Sequence, residues 1–91
     1  MIARLVHYEG RVQGVGFRVT VKSLAAGFEV RGGVSNLPDG RVELRVRGDD
    51  EEVEAFLKEI RESQLGSCIK QESANPMDLE SITNRGFEIS G

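Results

Sequence analysis

One cysteine and one histidine are all that the 91 residues offer to a redox pair or a soft metal. Cys68 has no partner for an internal disulfide, and together with His7 it makes no Cys/His ligand set, so no metal site is expected. Both read as structural residues, Cys68 as a small residue on a half-buried strand and His7 as a strand residue. Aromatic residues are also scarce, at 5%, too few for a platform on which nucleic-acid bases stack. There is no excess of basic charge either. With a formal net charge of −3 the chain has no general field for polyanions, and any anion site must be local and small. No apolar run approaches membrane-spanning length, and Met1 leads straight into a short strand pattern rather than a signal peptide. The expectation is a cytoplasmic protein, a monomer, with neither a membrane nor a nucleic acid as partner.

What is present is ordinary for a globular chain: 38% hydrophobic and 30% charged residues. A chain of this length makes one domain, spanning residues 1–91, and buries roughly 60–65% of its unfolded surface. Residues 2–8 are β-rich and apolar at both parities (Ile2, Val6, Tyr8; Ala3, Leu5), as in a central strand. Phe17, Val21, Leu24, Ala25 and Phe28 recur on one face of a helix that ends near Gly27. Residues 30–36 read extended despite Gly32-Gly33, and glycines inside a strand mark a bulge or a close approach to the backbone. Leu37-Pro38-Asp39-Gly40 is a tight turn, and Val42, Leu44 and Val46 beyond it alternate with charged residues, so the two runs form a β-hairpin.

Asp49 with Glu52 has capping-box spacing and opens a helix that buries Val53, Phe56, Leu57 and Ile60. Its charged residues form a solvated face. Residues 67–72 predict another strand, 73–85 a loop, and Phe87-Glu88-Ile89 a short final strand. Strand, helix, hairpin, helix, strand is the α+β, ferredoxin-like βαββαβ sandwich, a mixed or antiparallel sheet with two helices on one face, plus a short C-terminal strand. In that topology Asn36 ends a strand that turns back toward the first strand-to-helix loop.

That loop, Gly10-Arg11-Val12-Gln13-Gly14-Val15-Gly16-Phe17-Arg18, carries the chemistry. Its glycines allow positive φ, so backbone N–H groups can turn toward one point, at the positive end of a helix dipole. Arg18 adds a planar fork able to grip two oxygens of a phosphate or carboxylate. Three other readings compete. Many βα turns need glycine for geometry alone. The third glycine of a dinucleotide fingerprint would fall at Val19, and no Gly-Lys-Ser/Thr follows for a P-loop. The aromatic octamer of RNA-recognition motifs is matched at Phe17 alone among its three aromatics. Asn36, for its part, reads on local grounds as a strand-end turn residue.

Gly10-x-Val12-Gln13-Gly14-Val15-Gly16-Phe17-Arg18, followed by Gly33-Val34-x-Asn36-x-x-Asp39-Gly40-x-Val42, closely resembles the acylphosphatase family along the whole chain. The resemblance implies hydrolysis of the carboxyl-phosphate bond of a small acyl phosphate, without metal or cofactor. It implies that Arg18 and the backbone N–H groups of Gln13, Gly14, Val15, Gly16, Phe17 and Arg18 bind the phosphate, and that Asn36 orients the attacking water. An inactive anion-binding or nucleic-acid-binding module of the same fold is the alternative. The chain departs from the family in having Ser63-Gln64-Leu65-Gly66-Ser67 where Gly-Pro is common, Gly33 where an aromatic is usual, and Ile89-Ser90-Gly91 in place of Phe-x-Ile-Arg-Tyr beyond Phe87.

Overall fold

In the computed structural model, which describes residues 1–91, the elements run β1 (Ile2–Gly10), α1 (Phe17–Ala25), β2 (Val30–Asn36), β3 (Val42–Gly48), α2 (Asp50–Glu62), β4 (Ile69–Pro76) and β5 (Phe87–Ser90). The strands form one sheet in the order β4-β1-β3-β2-β5, and only β2 and β5 pair in parallel. Two helices packed on this mixed sheet give the ferredoxin-like α+β sandwich that the element order predicts.

Alternation explains how β3 became its centre. Val42, Leu44 and Val46 are fully buried while Glu43, Arg45 and Arg47 stay on the open face. The buried set joins Val6 and Tyr8 of β1, Phe17, Val21 and Ala25 of α1, and Val53, Phe56, Leu57 and Ile60 of α2 in one core. Burying each of the larger of these side chains contributes about 1.5–3 kcal/mol. α1 stops at Ala25, short of the full apolar run, but tight bonds from Ala26, Gly27 and Phe28 N–H to Ser23, Leu24 and Ala25 carbonyls continue the turn. Phe28 is thereby delivered to Phe56, with ring centroids 5.7 Å apart.

The glycines of β2 answer to close approach. At Gly32, φ is +143°, and a Cβ there would collide with the Arg45 carbonyl. At Gly33 a Cβ would lie 2.9 Å from Arg45 Nη2, so the Arg45 guanidinium fills the space that a side chain there would need.

Three local expectations are corrected. The capping box does not form: Asp49 stands at the N-cap but makes no side-chain bond, and Glu52 instead accepts the Glu29 N–H at 2.7 Å, tying α2 to the entry of β2. The fourth strand is displaced from 67–72 to Ile69–Pro76, and Cys68 closes a 3₁₀ turn (Gln64–Cys68) rather than lying on the strand. β4 is an edge strand whose outer residues face water, so it lacks alternation; its pairing with β1, from Gly10 opposite Ile69 to Arg4 opposite Pro76, makes it a strand. Finally, residues 77–86 are an ordered strap. It holds a 3₁₀ turn at Leu79–Ser81 and the buried Ile82, and is pinned by Arg47 Nη1 donating to the Leu79 and Ile82 carbonyls at 2.9 and 3.3 Å. No helix is long and apolar enough to cross a membrane.

Candidate active site

Register decides where the two sequence motifs meet. Val42 of β3 lies opposite Tyr8 of β1 on one side and opposite Asn36 of β2 on the other. Asn36 is therefore level with a residue two positions before Gly10, and the glycine loop rises from the same end of the sheet.

The loop is anchored at its two ends and open between. Val12 is buried in the core, and Phe17 is buried against Tyr8 with ring centroids 5.2 Å apart, which sets the first turn of α1. Between them Gly14 and Gly16 take φ of +77° and +76°, with open space where a Cβ would stand. Only backbone conformation calls for glycine there. Gly16 is the left-handed N-cap of α1, and no side chain caps the helix. The first helical bond runs from Thr20 N–H to Gly16 O, so the N–H groups of residues 13–18 have no protein acceptor. A run of donors at the positive end of a helix is suited to a phosphoryl group.

Arg18 lies in that first turn, half-buried. Its Nη1 donates to the Gly91 carbonyl at 2.9 Å. Gly91 in turn lies against Asn36, since a Cβ on it would be 3.3 Å from the Asn36 carbonyl oxygen. Arg18 and Asn36 thus both border Gly91, the residue that follows β5. The Asn36 side-chain oxygen is buried and has no hydrogen-bond partner.

Gln13 has a second task besides its backbone N–H. Its side chain Nε2 donates to the Leu37 carbonyl at 2.9 Å and to the Arg41 carbonyl at 3.0 Å, latching the loop to the β2–β3 turn beside Asn36. Its backbone N–H remains with the other donors. Val15 is exposed at the crest of the loop. The turn is itself stiffened by Asp39, which accepts the Arg41 N–H at 3.0 Å and its Nε at 2.8 Å. The backbone N–H of Arg41, with some opposition from desolvation, and then its guanidinium hold the Asp39 carboxyl below the usual carboxylate range. The Gln13 latch and the Gly91 carbonyl went unforeseen because both contacts join residues far apart in sequence, with no local pattern to reveal them.

A family model described as Acylphosphatase matches residues 5–89. An acylphosphatase of Archaeoglobus fulgidus is 30% identical over 99% of both chains, and one of a Synechococcus species is 41% identical over 88% of both. Among solved structures, acylphosphatase from Bacillus subtilis superposes with a TM-score of 0.88, at 30% identity over the full length of both chains.

Proposed function

This chain belongs to the acylphosphatase family, hydrolases acting on acyl phosphates, and from that premise we propose how its own residues divide the work. The phosphoryl group of a small acyl phosphate sits on the N–H groups of residues 13–18, with the Arg18 guanidinium gripping two of its oxygens. Asn36 holds the attacking water. The observation that carries this reading is the buried, unpartnered Asn36 side-chain oxygen, next to the turn that Gln13 latches to a loop of free N–H groups. An orphaned acceptor is costly, by about 1–3 kcal/mol, and a water that donates to it is held where the phosphorus is approached.

The chemistry suits so spare a site. The water oxygen attacks phosphorus, the bond from phosphorus to the acyl oxygen breaks, and the electron pair leaves on a carboxylate. That leaving group is a weak base, so no strong general acid is needed. The proton of the water passes to a phosphoryl oxygen, which leaves Asn36 a positioning task for which its carbonyl and amide suffice. Phosphoryl transfer asks chiefly for placement and charge neutralisation, and Arg18 with the loop donors supplies both. One copy of the chain furnishes all these groups, so the same reading takes a monomer in the cytoplasm as the working unit.

The test is release of inorganic phosphate from an aryl acyl phosphate with a chelator present, in wild type and in Asn36→Ala. Turnover persists with chelator. Asn36→Ala lowers kcat by at least on the order of 10²-fold while the inhibition constant for inorganic phosphate moves far less. A folded variant with normal kcat and poor phosphate binding would make Asn36 a phosphate ligand instead. Tight, salt-dependent RNA binding without turnover would favour the binding module.

A further inference from the structure

The sheet has a second charged concavity at the end away from the glycine loop, where Gly48 of β3 faces Ile2 of β1 and Val30 of β2. It is a cleft of about 350 Å³ whose lining includes Arg31, Arg47 and Arg85 together with Glu29 and Asp49. That volume lies at the lower end for small-molecule sites, which run from about 300 to 1,000 Å³.

The arginines are arranged against their own electrostatics. Arg31 and Arg47 are direct cross-strand partners, and like charges in that relation are destabilising. None of the three forms an ion pair with any carboxylate of the chain. Arg47 is held in place by its bonds to the strap carbonyls of Leu79 and Ile82, and its Nε is buried with no partner. A guanidinium tethered to the strap, sharing its cleft with two unpaired ones, offers forked donors suited to a tetrahedral oxyanion. The two carboxylates in the same lining disfavour a bare polyanion and suit a ligand that also carries a donor.

We propose that this cleft binds a small phosphate monoester, its phosphoryl group on Arg31, Arg47 and Arg85 and an amine-bearing remainder toward Glu29 and Asp49. The site is separate from the hydrolytic one, and neither Arg31 nor Arg85 belongs to the catalytic machinery.

The two sites are separated by working in Arg18→Ala protein and following backbone amide signals by NMR during titration with inorganic phosphate and with O-phosphorylethanolamine. Both probes shift the amides of Arg31, Gly48 and Arg85 in a saturable way, and O-phosphorylethanolamine binds the more tightly. Adding Arg31→Ser with Arg85→Ser weakens both by at least about tenfold. Arg85→Glu, a single exposed change outside the core, gives a similar loss. In an otherwise wild-type chain Arg31→Ser with Arg85→Ser leaves acyl phosphate turnover unchanged. Shifts confined to residues 13–18 in wild type, with none near Arg31 and Arg85 in Arg18→Ala, would overturn the proposal. So would undiminished binding in folded Arg31→Ser, Arg85→Ser protein. Binding of O-phosphorylethanolamine no tighter than phosphate would overturn the role given to Glu29 and Asp49.

Discussion

At the scale of single residues, the site sets geometry above charge. Lysine at position 18 keeps a cation but loses the planar fork and the reach to the Gly91 carbonyl, which Arg18 makes through Nη1. Arg18→Lys is therefore expected to fall almost as far as Arg18→Ala, each losing at least roughly 10²-fold in kcat/KM, with less than about tenfold between them. Steady-state kinetics on both variants decide it, and a lysine enzyme near wild-type rate would show that charge alone suffices. Tyr8 makes the opposite case. Its hydroxyl is buried without a partner, and burial pushes its pKa up, with the Glu72 carboxylate adding to the rise and Arg61 opposing it. Tyr8→Phe removes an unsatisfied donor while keeping the ring that packs on Phe17. Chemical denaturation is expected to show a variant at least as stable as wild type, gaining up to about 1 kcal/mol. A loss larger than that would reveal a partner for the hydroxyl.

At the scale of elements, the anion loop is shaped by the hairpin beside it. Gln13 spans from the loop to both arms of the β2–β3 turn, and nothing else on the loop crest makes such a bond. With Gln13→Ala the N–H groups of residues 13–18 keep their identity but lose their fixed aim. The inhibition constant for inorganic phosphate should rise by about fivefold, equivalent to about 1 kcal/mol, while thermal unfolding shifts little because the side chain is exposed. An unchanged inhibition constant would make the latch ornamental. The same dependence on neighbours explains why the loop motif is legible in sequence while the bounds of β4 and the order of the strap are not. Gly14 and Gly16 are demanded locally by positive φ. β4 and residues 77–86 are instead ordered by pairing with β1 and by the reach of Arg47, which leave no periodic trace.

At the scale of the molecule, both helices and the central strands share one core, in which Phe56 meets Phe28 and Phe87, each at a centroid distance of 5.7 Å. Phe56→Ala is expected to cost about 3–5 kcal/mol, in a single transition seen alike by circular dichroism and by the fluorescence of Tyr8. Two separated transitions would mean that the helical layer unfolds apart from the sheet. The sequence by itself determined the βαββαβ order, the helix-facing sides of β3 and α2, and the donors of the glycine loop, because periodicity and glycine conformation act over a few residues. It also brought Arg18 and Asn36 forward as a pair, through the joint resemblance of their motifs. Only the tertiary structure decided that Asn36 stands level with Tyr8 across Val42, that Gln13 is a latch, that Gly91 holds Arg18, and that Arg31, Arg47 and Arg85 share one cleft. Each of these depends on strand register and on chain segments far apart in sequence. Such contacts form only when the whole sheet closes on its core.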